Sequence, residues 1–156
     1  MYDGMGAAPH QREQYYGLTL DFNQTIAAAG NGVVNAKTDG DWPFVIESLT
    51  VGLYVPAVAG TSLIYGPWLS IADTTAANRN NFPSYFSARL QLLINDVTLW
   101  RTPIRCGNLV EGVNGRHILK TPVRVPKGVT VQGTLYNDSA ANDLQAQILL
   151  EGFYQR

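Results

Sequence analysis

Residues 121–153 read TPVRVPKGVTVQGTLYNDSAANDLQAQILLEGF, and this stretch decides the fold. Val129, Val131, Gly133 and Leu135 alternate with Thr130, Gln132, Thr134 and Tyr136, the period of two that puts one set of side chains on each face of a sheet. Pro122 and Pro126 bound the strands in this reading. The polar run of residues 137–143 then returns the chain into Leu144, Ala146, Ile148 and Leu150, again every second residue. The expectation is a hairpin with one buried face.

The same period extends outward through the chain. Tyr16, Leu18, Leu20 and Phe22 alternate with Gly17, Thr19 and Asp21, so regular structure is expected from Tyr15. Residues 23–41 read mostly as loop, with Asn31-Gly32 as a turn and Val33-Val34 as a short strand. Leu49, Val51, Leu53 and Val55 share one face of a strand over residues 44–55. Phe44, Val45 and Ile46 break its alternation, which calls for a bulge or two-sided burial. Leu90, Leu92 and Ile94 point inward from a strand over 89–95, and Asn95-Asp96 turns it into Val97, Leu99 and Trp100. Residues 56–82 form a long connection, with a short strand around 68–71, and long connections in compact domains usually serve function or an interface. One short helix fits near Leu109 or over 76–80. Residues 1–14, rich in Gly, Ala and Gln without periodicity, read as an extended N-terminal arm that is disordered on its own. The fold class is therefore all-β: a single antiparallel β-sandwich over residues 15–156, jelly-roll-like, preceded by that arm. No internal repeat suggests a propeller or solenoid.

A chain of 156 residues fits one domain and needs no disulfide or metal staple. Its 46% hydrophobic content is ordinary, but only 15% of its residues are charged, against roughly 25% in soluble proteins. A subunit packed among partners presents Thr, Asn, Gln and Tyr to them without desolvating ions, so low charge points to assembly. With a net charge of -1 and scattered Arg79, Arg89, Arg101, Arg105, Arg116, Lys120 and Arg124, no field draws a polyphosphate, and specific nucleic-acid binding is not expected. Neither a signal peptide after Met1 nor an apolar membrane span is expected. Cys106, the lone cysteine, cannot form an internal disulfide; it fits a cytosolic origin and reads as a small core residue.

Catalytic chemistry finds little to work with. A serine nucleophile needs a base, and the two histidines are His10, in the arm, and His117, beside Arg116; no Gly-x-Ser-x-Gly elbow is present. Two distant histidines and one cysteine do not make a zinc site. Asp39-Gly40-Asp41, and Asp138 with Asn142 and Asp143, offer oxygen ligands without the spacing of a calcium loop, and turn chemistry accounts for them more simply. Gly30-Asn31-Gly32 has no following Lys-Ser/Thr or helix and is not a phosphate loop. No enzyme activity, cofactor or metal is expected.

The aromatics remain. An exposed tryptophan on a β-sandwich stacks on sugar rings, and Trp and Tyr also anchor subunit interfaces. Low charge favours the second use. The candidate interface residues are Tyr15, Tyr16, Trp42, Trp68, Tyr85 and Trp100.

Residues 116–156, RHILKTPVRVPKGVTVQGTLYNDSAANDLQAQILLEGFYQR, resemble the closing part of small β-sandwich structural proteins of tailed bacteriophages. The likeness is carried by Pro122, Pro126, Gly128, Asn137, Gly152 and Phe153, in an order of proline, strand, proline and glycine, strand, asparagine turn, strand, glycine-phenylalanine. It implies a virion protein assembled in the host cytoplasm: a capsid decoration or cement subunit, or a neck, collar or tail ring. The partners implied are its own copies, as a homo-oligomer with a trimer favoured, and a major capsid or neck protein. No membrane partner is implied. A carbohydrate-binding or receptor-recognition sandwich is the alternative of a different class.

Overall fold

The computed structural model describes residues 15–54, 88–109, 116–140 and 143–155. Among these, nine strands and one 3-10 turn follow one another: β1 (Tyr15–Ile26), β2 (Asn31–Lys37), β3 (Phe44–Tyr54), β4 (Ala88–Ile94), β5 (Val97–Thr98), β6 (Ile104–Arg105), the 3-10 turn Cys106–Leu109, β7 (Arg116–Val125), β8 (Thr130–Asn137) and β9 (Leu144–Tyr154). One sheet has the order β1-β9-β3-β7. The other has the order β2-β8-β4-β5, with β6 beside β5 on the same side of β4.

Every pairing is antiparallel, and the order follows one rule. The first half of the chain pairs with the second in reverse: β1 with β9, β2 with β8, β3 with β7, and β4 with β5 and β6. That long antiparallel ribbon folds over, so that β9 meets β3 and β8 meets β4, and two sheets close face to face. This is the double-sheet jelly roll.

The core lies between the sheets, where alternation along each strand delivers its apolar residues. Leu20 and Phe22 from β1, Leu49, Val51 and Leu53 from β3, Leu90 and Leu92 from β4, and Ile148 and Leu150 from β9 are all buried there. Each such side chain contributes about 1.5–3 kcal/mol relative to exposure. Cys106 is fully buried in the same cluster, as a core residue.

The break in alternation at the start of β3 is a bulge. Ile46 pairs with Gly152 and Ser48 with Glu151, leaving Glu47 as the extra residue. The bulge lets Phe44 and Ile46 face the core although they are out of phase with Leu49, Val51 and Leu53. On the other side of β3, Val123 pairs with Ile46 but Ile118 pairs with Ser48, so the edge strand β7 loses register over residues 119–122. Pro122 sits in that irregular stretch, within a strand instead of bounding one, because an edge strand there needs no N–H at that position.

Two sequence expectations are corrected. The strands flanking residues 137–143 are not a hairpin: β8 belongs to one sheet and β9 to the other, and the segment crosses between them. Alternation shows that a strand has one buried face, and cannot show whose edge it joins. Residues 23–41 are also not mostly loop, since β1 runs to Ile26 and β2 spans 31–37. The turn lies at residues 27–30, where Gly30 N–H donates to the Ala27 carbonyl (3.0 Å) and Ala29 has φ 56. Asn31-Gly32 is inside β2, and Gly32 is small because a Cβ there would stand 2.8 Å from Ile26 Cδ1. The turn Asn95-Asp96 is as expected, a two-residue hairpin with both φ values positive (50 and 62), the type I′ geometry. The short helix near Leu109 is the 3-10 turn. The expected strand at 68–71, the helix at 76–80 and the arm at 1–14 lie outside the described residues.

Candidate interaction surface

Strand direction sorts the loops into two ends. At one end lie the segment 38–43, the β4–β5 turn, the β7–β8 turn, the start of β1 and the end of β9. At the other lie the β1–β2 turn, residues 138–143, and the last residue of β3 and first of β4, between which the segment 55–87 is inserted.

Segment 38–43 is pinned by hydrogen bonds. The Thr38 hydroxyl lies within donating distance of the Val129 and Pro126 carbonyls (3.0 and 3.2 Å) and accepts from Val129 N–H (3.1 Å). Thr38 N–H donates to the Val129 carbonyl (3.0 Å), and Gly128 N–H to that of Asp39 (2.8 Å). Asp39 Oδ1 accepts from Asp41 N–H (2.9 Å), so this acidic pair is spent on turn geometry. Gln155 N–H donates to the Pro43 carbonyl (2.8 Å). The loop therefore holds Trp42 outward on a fixed base, with 43% of its surface exposed.

Beneath it an aromatic stack closes the core. Tyr154 packs edge-on against Tyr16 (ring centroids 5.0 Å) and tilted against Phe44 (5.1 Å), and its hydroxyl accepts from Asp39 N–H (3.3 Å). Tyr154 was not among the sequence candidates, though it continues the inward period of β9.

The structure thus gathers three of the six candidates at one end. Tyr15 opens β1 opposite Phe153, Tyr16 is half-buried in the stack, and Trp42 is exposed above it. Trp100 is elsewhere, half-buried against the core after β5 at the side of the second sheet. Trp68 and Tyr85 lie outside the described residues.

The opposite end is held by Asn137, 2% exposed. Its Nδ2 donates to the Ile26 and Ala27 carbonyls (3.2 Å each) and its Oδ1 accepts from Ser139 N–H (3.1 Å). Beside it Arg89 grips Asp138 through two bonds (2.6 and 2.7 Å) and lies over the Tyr136 ring (5.2 Å). The hydrogen bond from Arg89 holds the Asp138 carboxyl below its ordinary range, and Asp138 raises Arg89 in return.

On the outer face of the first sheet Arg116 Nε donates to Ser48 Oγ (2.8 Å) and pairs with Glu151 (3.2 Å), whose Oε2 also accepts from Thr50 (3.4 Å). His117 stands opposite Leu49, on the core side of β7, while Ser48 stands on the other side of the sheet, so these two do not form a nucleophile–base pair. Burial pushes the Cys106 thiol up to about 12, which keeps it protonated and inert. Among the described residues no three His, Cys, Asp or Glu side chains group as metal ligands, and no helix is long and apolar enough to cross a membrane.

No protein-family model matches the chain. No curated protein is similar to it in sequence.

Proposed function

We propose that this chain is a non-enzymatic structural protein of a tailed-phage virion, most simply a capsid decoration or cement subunit that stabilises the head through contacts between subunits. The observation that carries the reading is the jelly-roll pairing order, an architecture used by viral capsid and lectin domains. The resemblance of residues 116–156 to phage structural proteins supports it, as does a chain in which only 15% of residues are charged. A neck or tail ring would use the same block in another symmetry. The sandwich is the rigid body, and the arm 1–14, leaving from the Tyr15–Trp42 end, clamps a neighbour; an arm that orders on docking gains contact area at the cost of chain entropy.

The test compares the full chain with one starting at Tyr15 for co-sedimentation with phage heads, alongside native mass by light scattering. Head binding by the full chain, lost in the shorter one while its thermal melt is kept, is the expected result. A trimer supports the cement subunit, and a ring of six or twelve supports the neck. Normal head binding by the shorter chain would refute the clamp. The second reading, a sugar-binding sandwich, is favoured by Trp42 alone, exposed on a pinned loop. Glycan binding abolished by Trp42→Ala would replace the virion reading with it.

A further inference from the structure

The four sheet edges are not alike. β7 carries exposed Arg116, Lys120, Pro122 and Arg124 and loses register midway, all devices that block pairing with another chain. β5 and β6 are two residues each, too short to template a partner. β1 carries Asp21 and shifts register between Phe22 and Ile26. β2, seven residues in unbroken register with β8, has no proline, no bulge and one charge, Lys37, at its end.

Its hydrogen-bonding sense can be read from its flanks. Asn137 N–H donates to the Gly30 carbonyl and Thr38 N–H to that of Val129, so even-numbered residues from 30 to 38 bond to β8. Asn31, Val33, Asn35 and Lys37 then turn their backbone N–H and C=O groups away from β8, to an edge that no strand covers among the described residues. Val33 is 51% exposed. Alongside runs a mixed groove of about 440 Å³ between β1 and β2, lined by Phe22, Ile26 and Val34 together with Gln24, Thr25 and Asn31.

We infer that β2 pairs antiparallel with β2 of a second copy of this chain about a two-fold axis at Val34. The edge is complementary to itself in that register. Val33 meets Asn35 and Asn31 meets Lys37, so all four outward residues of each strand find partners and no like charges oppose. The partner's Val34, on the core side of its strand, covers that groove. The contact joins two chains, or two trimers into six subunits that fall to three when it is broken, as a closed ring of six does not, and it stands apart from the virion reading because it uses neither the arm nor Trp42.

The test uses Asn35→Pro. The Asn35 N–H faces away from β8, so proline there keeps the internal ladder and removes a donor from the outer edge. Asn35→Ala, which keeps the N–H, is the control. Native mass by light scattering is expected to fall about two-fold in Asn35→Pro and to be unchanged in Asn35→Ala. Hydrogen exchange on the full chain needs no variant: the Asn31, Val33, Asn35 and Lys37 amides are expected to be protected, and increasingly so with concentration. Those amides exchanging at unprotected rates at every concentration would overturn the inference, and so would a folded Asn35→Pro of unchanged mass. A chain starting at Tyr15 is expected to keep the protection; its loss would overturn the inference in favour of the arm as the added strand.

Discussion

Asn137 satisfies two carbonyls of the β1–β2 connection and one backbone N–H of its own loop from a fully enclosed position. Asn137→Ala is therefore expected to cost about 1–3 kcal/mol, read as a lower urea midpoint at unchanged slope, because buried acceptors lose their donor. Gly152 is set by close approach: it pairs with Ile46 beside the bulge, and a Cβ there would overlap the Val45 carbonyl oxygen. Gly152→Ala must shift β3 backbone, and a loss on the order of 1–3 kcal/mol is expected in the same assay. Asp138 makes stability depend on pH in a definite direction. Its folded value is depressed by Arg89, so the contribution is present above the ordinary 3.8 and lost as pH falls through the lowered value. At 33% exposure solvent screens the pair, and Asp138→Asn is expected to cost no more than about 1 kcal/mol at pH 7. The gap between the two proteins should close when the melts are repeated well below pH 3.8.

At the scale of elements, period-two alternation made β4, β8, β9 and the regular part of β1 legible, because a half-buried strand has no other way to satisfy both faces. The dipeptide Asn31-Gly32 misled for an equally physical reason. Gly32 is required by Ile26 packing on it from another strand, and the turn was instead made by Ala29 at positive φ. Ala29→Gly relieves that conformation and is expected to be neutral to stabilising by up to about 1 kcal/mol in thermal melts. Pro122 looked like a strand boundary and is an edge guard. Pro122→Val is expected to leave the urea midpoint within about 0.5 kcal/mol of the parent while raising the rate of light-scattering growth on storage, since β7 loses one of its blocks.

For the whole molecule, Cys106 reports on global opening. Fully buried, with its thiol pushed up to about 12, it is expected to react with a thiol reagent only as the fold opens, so labelling rates should follow the denaturant dependence of unfolding. Rapid labelling in native buffer would mean that the 3-10 turn Cys106–Leu109 opens on its own. Of the residues singled out in the sequence, Tyr16 and Trp42 stand at one end of the sandwich, and Trp100 does not join them. The aromatic stack through Tyr154 was not legible, because it joins residues near both ends of the chain.

Composition and periodicity, which are local properties of the chain, determined that this protein is all-β, that its core is made by every second residue, and that Cys106 lies inside. Which sheet each strand joins was decided only in three dimensions. β1 pairs with β9 and β2 with β8 across more than a hundred and across about a hundred positions, and no local pattern encodes a partner so far away. The bulge at Glu47, the lock at Asn137 and the contrast between a guarded β7 and an open β2 all follow from those pairings, since each depends on what lies across a sheet and not along a strand.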